Sequence, residues 1–97
     1  MFCMDFEWDE AKNAANRAKH GIAFESVAGF DWETSVAFER TRKSDGEQRF
    51  VAVGRLGGKL YSIIYTWRTG TLRIISMRRS NKAEERAYEK NTKNARG

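Results

Sequence analysis

Between Arg49 and Ser80 the chain reads RFVAVGRLGGKLYSIIYTWRTGTLRIISMRRS, apolar runs bracketed by Arg49, Arg55, Arg68, Arg73, Arg78 and Arg79. A guanidinium presents a planar fork of donors that matches a phosphate or a carboxylate two bonds at a time. Several of them at neighbouring strand ends make a surface for a polyanion, and for a chain this small that points to RNA or an acidic partner protein. Proton transfer needs other groups. Histidine is the side-chain type that titrates near neutrality, and the chain has one, His20, preceded by Lys19. Glu47 and Tyr65 complete the acid–base candidates.

Each candidate has a plainer alternative. His20 follows a helical pattern and precedes Gly21, so it either projects as a general acid, general base or phosphate contact, or caps the helix by bonding a carbonyl. Glu47 and Arg49 stand two apart and share one side of a regular strand. They are either a base beside a phosphate clamp or a salt-bridged pair. Arg49, Arg68 and Arg78 form the primary phosphate set, with Arg55, Arg73 and Arg79 as further RNA contacts. The alternative for any one of them is an ion pair with Glu39, Glu47 or the final helix. Strict alternation puts Arg73 with Ile75, Met77 and Arg79 on one face and Arg78 with Leu72, Ile74 and Ser76 on the other, so these arginines do not all converge. Trp67 either stacks a base, as aromatic rings do in single-strand recognition, or packs at the rim of the core. Trp8 and Trp32 read as structural.

Composition narrows the class. The 97 residues amount to one domain, read as 1–97 with a frayed tail from about 93. A chain of this size buries roughly 60–65% of its unfolded surface. The net charge of +5 is unevenly spread. Residues 1–39 carry three basic and eight acidic groups, a net of −5, and residues 40–97 carry 15 basic and five acidic groups, a net of +10. Such a split favours a basic face for nucleic acid or an acidic protein over an evenly solvated surface. One cysteine, Cys3, and one histidine exclude an internal disulfide and argue against structural zinc. No apolar run reaches the roughly 18 residues of a membrane span and no signal segment is evident, so the expected setting is the cytoplasm.

Local pattern supplies the elements that must position these residues. Met4 to Trp8 alternates and predicts a strand. Asp9 reads as an N-cap, with Ala11, Ala14, Ala15 and Ala18 as a small-residue stripe able to approach a sheet closely and Gly21 as a left-handed cap. Phe24, Val27 and Ala28 predict a short second helix ending near Gly29 or Phe30, and Thr34 to Arg40 a strand. Asp45-Gly46 marks a turn. Strands follow at about 48–55, 59–67 and 71–78, joined by turns at Gly57-Gly58 and Gly70. Asn81 with Glu84 is the capping box of a last helix. The order β-α-α-β-β-β-β-α predicts an α+β domain of two layers, a mainly antiparallel sheet packed by the N-terminal helices with a C-terminal surface helix. The early helices are expected to cover Val51, Val53, Ile63, Tyr65, Ile75 and Met77 together.

Four segments together resemble the BrnT family of toxins from bacterial type II toxin–antitoxin modules. They are FEWDEAKNAANRAKHGIAFE at 6–25, EQRF and GR within 47–55, YTWR at 65–68 and RIISMRRSNKAEERAYE at 73–89. The family opening is matched at Trp8, Asp9, Lys12, Asn16, Lys19, His20 and Gly21. Trp67 stands at a variable position, and Met77 stands where a small residue such as alanine is usual. The resemblance implies a RelE/ParE-like fold, toxicity through RNA cleavage that inhibits translation, and neutralisation by a BrnA-type antitoxin in a hetero-oligomer. Operator DNA would then be contacted only indirectly, through the antitoxin.

Metal-free RNA cleavage needs a base for the 2′-hydroxyl, an acid for the 5′-oxygen and positive charge at the phosphorane. Its products are a 2′,3′-cyclic phosphate and a 5′-hydroxyl. One histidine excludes a two-histidine mechanism. The catalytic set is therefore drawn from Lys19, His20, Glu47, Arg49, Arg68 and Arg78, with Arg55, Trp67, Arg73 and Arg79 binding RNA and with no metal or cofactor. A module that grips RNA or a protein without cutting is the competing reading. A DNA-binding regulator is a third, opposed by the placement of the arginines on strands.

Overall fold

Asp9 ends the first strand and starts the first helix. Its backbone is extended, and its Oδ1 accepts the N–H groups of Ala11 (2.8 Å) and Lys12 (3.4 Å). Gly21 closes that helix at φ 72°, where its N–H reaches the Arg17 carbonyl at 2.9 Å. The computed structural model describes residues 5–96, with side chains described through residue 91. Within them lie β1 (Phe6–Trp8), α1 (Glu10–His20), a 3-10 helix (Phe24–Gly29), β2 (Val36–Glu39), a 3-10 turn (Lys43–Asp45), β3 (Phe50–Leu56), β4 (Lys59–Arg68), β5 (Thr71–Arg79) and α2 (Lys82–Arg96). Met4, the expected start of the first strand, lies outside the described residues, as do Cys3 and the side chains of the expected frayed tail. Among the described residues no helix is long and apolar enough to cross a membrane.

The sheet order is β1-β5-β4-β3-β2, with β1 parallel to β5 and every other pair antiparallel. The first face is covered by the 3-10 helix. Phe24, Val27 and Phe30 pack there against Ala52, Ile63, Tyr65, Leu72, Ile74 and Met77. Phe30 and Tyr65 meet Trp32 edge-on at centroid distances of 4.8 and 5.9 Å, and Phe6 stacks on Trp32 at 5.8 Å. Gly54 makes room for this, since a Cβ there would stand 2.7 Å from Phe30 Cζ.

Two packing expectations are corrected. Val51 and Val53 do not join that core. The register sets Val51 opposite Ile64 and Ala52 opposite Ile63, so alternation sends the two valines to the second face, where Tyr88 of α2 covers them with Val36, Leu60 and Ile64 around it. Both faces of the sheet are therefore covered, not one. The alanine stripe of α1 is exposed, and its buried residues are Asn13 and Asn16. The reason is polar. Asn13 accepts the Phe24 N–H at 2.8 Å, and Asn16 bonds both backbone groups of Met77, so α1 is held to its neighbours by amides rather than methyls.

A third correction concerns β5. Ile64 pairs with Ser76 but Tyr65 pairs with Ile74, which leaves Ile75 without a partner in β4. One extra residue in a strand reverses the facing of everything beyond it. Arg73, opposite Thr66, consequently lies on the same face as Arg78, opposite Ser62, whereas strict alternation separates them.

Candidate functional site

On the second face, beside α2, a cleft of about 360 Å³ is lined by Lys19, His20, Arg40, Arg42, Asp45, Arg49, Ile64, Ile75, Ser76 and Arg78. Three pieces of local structure assemble it. Asn16 fastens α1 along β5, which carries the last helical turn, with Lys19 and His20, to the rim. The β5 bulge places the consecutive residues Ile75 and Ser76 on the cleft floor. The Arg40 N–H bonds the Arg49 carbonyl at 2.7 Å and extends the β2–β3 pairing by one step, so both side chains belong to the cleft face.

Arg78 is the most firmly held of the cleft cations. Its Nη1 and Nη2 donate to Glu84 Oε1 and Oε2 at 2.7 and 2.8 Å. Burial by itself would raise the Glu84 pKa, but bonds from Arg78, the Asn81 N–H and the Ser62 hydroxyl outweigh it and hold the carboxyl at about 2. The Arg78 guanidinium is correspondingly pushed up by its bond to Glu84. Arg40 reaches the same carboxylate at 3.3 Å. Arg49 lies 3.5 Å from Asp45 and 3.6 Å from Glu47, and its Nε is buried without a hydrogen-bond partner among the described residues. A buried donor without an acceptor is costly, and this one belongs to a side chain lining a cationic cleft.

Of the residues singled out in the sequence, Lys19, His20, Arg49 and Arg78 come together here. Glu47 does not line the cleft. It lies before β3 and bridges Arg49 and Arg68, at 3.6 and 3.4 Å. Arg68 is half exposed and outside the cleft, and Arg73 is paired with Glu7 at 3.0 Å. Tyr65 is buried in the first-face core, which raises its pKa. Trp67 is half exposed and meets Tyr65 edge-on, and Arg79 lies over the Tyr61 ring at 5.7 Å, so both belong to the face opposite the cleft. Arg55 sits exposed near the β3–β4 turn. Sequence reasoning missed Arg40, Arg42 and Asp45. Their signal was the basic run around Asp45-Gly46, which read only as a turn.

The fold is thus that of a small α+β protein with a cationic cleft on one sheet face, a lysine and a histidine at its rim. The chain matches, over residues 8–84, the family model described as ribonuclease toxin, BrnT, of type II toxin–antitoxin system. It belongs to that family. Among solved structures, the Brucella abortus ribonuclease toxin BrnT is similar, with a TM-score of 0.64 and 28% identity over 82% of this chain and 100% of that one. No curated protein matches the chain.

Proposed function

We propose that this protein is an endoribonuclease toxin that cuts RNA in the cleft without a metal ion, inhibits translation by doing so, and is neutralised by a BrnA-type antitoxin. The observation that carries the reading is the gathering of Lys19, His20, Arg40, Arg42, Arg49 and Arg78 around one cleft whose lining includes a single carboxylate, Asp45. That carboxylate is already engaged by Arg49 and by the Arg42 N–H at 2.8 Å. Negative charge developing at phosphorus is thus met by guanidinium groups.

In this reading the 2′-oxygen attacks phosphorus while its proton passes to a base. The bond to the 5′-oxygen breaks as an acid protonates it, leaving a cyclic phosphate and a 5′-hydroxyl. His20 is the proton-transfer group. Arg49 and Arg78 clamp the phosphorane, a role for which preorganised donors are effective. Lys19, Arg40 and Arg42 hold flanking phosphates. The fold of such a toxin would be of the RelE/ParE kind.

The test is cleavage of a 5′-labelled RNA by the purified protein in chelator, with end-group analysis, beside His20→Ala and Arg49→Ala. Cyclic-phosphate ends lost in both variants support the reading. RNA that is bound but left intact favours a module that grips without cutting.

A further inference from the structure

Five hydrogen bonds converge on the Glu84 carboxylate, whose side chain is only 5% exposed. Oε1 accepts from Arg78 Nη1 (2.7 Å), Ser62 Oγ (2.8 Å) and the Asn81 N–H (2.9 Å), and Oε2 accepts from Arg78 Nη2 (2.8 Å) and Arg40 Nη1 (3.3 Å). As the third residue of a capping box, Glu84 needs one oxygen for the Asn81 N–H, and glutamine serves there equally well. Oε2 has no part in the cap, since both of its partners are cleft arginines. Folding does not require an ion pair at this place, because apolar side chains of the same volume could replace both partners at little net cost, although removing one partner alone strands the other's charge.

We propose that Glu84 is the positioning residue of the cleft: its carboxylate fixes Arg78 through both Nη atoms and draws Arg40 to the same point, so that the two guanidiniums are preorganised around the phosphate. The fork occupies one N–H on each Nη of Arg78, and the Arg79 carbonyl takes another from Nη1 at 3.4 Å. Nε–H and the second Nη2–H remain for an anion. Glu84 also offsets one of the two positive charges it gathers, which lets Arg40 and Arg78 share one side of the cleft. The inference rests on the RNA-cleaving reading of the same cleft. It adds a residue that acts only through the arginines.

The experiment compares Glu84→Gln with Asn81→Ala in the full chain, following steady-state cleavage of labelled RNA and thermal unfolding. Glu84→Gln keeps the cap and removes the charge. Asn81→Ala removes the side-chain cap on the Glu84 N–H (2.8 Å) and leaves the carboxylate on Arg78. For a positioning role, kcat falls by about 10- to 100-fold in Glu84→Gln, as expected for a misplaced reacting geometry. KM holds or falls, because the cleft has become more positive. Asn81→Ala lowers the melting temperature and retains kcat.

Two outcomes overturn the inference. If kcat rises in Glu84→Gln, the carboxylate was competing with RNA for Arg78. If the two variants lose activity only in step with stability, Glu84 is a cap. The guanidinium NMR signals of Arg78 supply a readout that needs no cleavage. Separate Nη signals in the wild type that average together in Glu84→Gln support the inference, and unchanged restriction sinks it. A wild type that cuts no RNA while showing that NMR change would fail the ribonuclease reading and leave the clamp standing.

Discussion

Asn16 and Met77 hold each other by a two-way hydrogen bond. The Asn16 amide donates to the Met77 carbonyl at 2.9 Å, and its oxygen accepts the Met77 N–H at 3.1 Å. β1 stops at Trp8, opposite Ile74, so among the described residues no strand lies beside the edge of β5 beyond that point. One side chain of α1 does there what the next residues of β1 would have done. The same amide donates to the Ile22 carbonyl at 3.0 Å, and its oxygen also accepts the Ser76 hydroxyl at 3.3 Å. The helix carrying Lys19 and His20 is thereby registered against the strand carrying Arg78.

Removing that amide should be expensive. Asn16→Ala strands both backbone groups of Met77, and at about 1–3 kcal/mol for a buried unsatisfied group the loss should be roughly 2–4 kcal/mol in urea unfolding. Asn16→Asp should be little better, since an ionised carboxylate cannot donate to the two carbonyls. A loss well under 1 kcal/mol for Asn16→Ala would show that the β5 edge finds another partner.

Acid should unfold the protein partly through Glu84. Its folded pKa of about 2 lies below its ordinary 4.5, so the unfolded state binds the proton more tightly. The stabilisation is complete above about pH 4.5 and disappears as pH falls toward 2; a shift of this size is on the order of 3 kcal/mol. Unfolding free energies measured from pH 6 to pH 2 should fall along this course in the wild type and more shallowly in Glu84→Gln. Parallel curves would contradict the assignment.

Salt dependence should separate the two faces of the sheet. Each phosphate contact to single-stranded RNA contributes about 0.7 to the slope of log K against log salt. Arg49→Ala should lower that slope by about this amount and weaken cleavage. Trp67→Ala and Arg79→Ala, on the opposite face, should change neither. A Trp67 variant that lost RNA affinity would move the binding surface to the other side of the sheet.

The antitoxin should contest the same cleft. Arg42 is exposed at its mouth, so Arg42→Glu reverses a charge with little risk to the fold. It should weaken RNA binding and antitoxin binding together in calorimetric titrations. Unchanged antitoxin affinity would mean that neutralisation uses another surface.

Much of the fold was legible in the sequence because local chemistry specified it. Asp9 and Gly21 delimit α1, the Asn81–Glu84 box starts α2, and the glycine turns fix three consecutive antiparallel strands. Each depends on residues within a few positions of one another, as propensity and capping do. The family was legible too, because its motif residues keep their spacing along the chain.

What the sequence could not reveal depended on residues far apart. Whether Val51 packs with Ile63 or with Tyr88 is set by pairing register. Whether Arg73 and Arg78 share a face hangs on Ile75, a single unpaired residue that nothing in the local pattern marks. The alanines of α1 looked like its packing face because small size suggests close approach, but hydrogen bonds from Asn13 and Asn16 decided the orientation. Glu84 read as a helix cap, since its second oxygen meets Arg40 and Arg78 only after α2 has docked. The sequence by itself determined the elements, the basic character and the family. Tertiary structure alone decided which cations meet, because convergence is set by register, a bulge and the docking of two helices, and these interactions join residues far apart in the chain, 61 positions in the case of Asn16 and Met77.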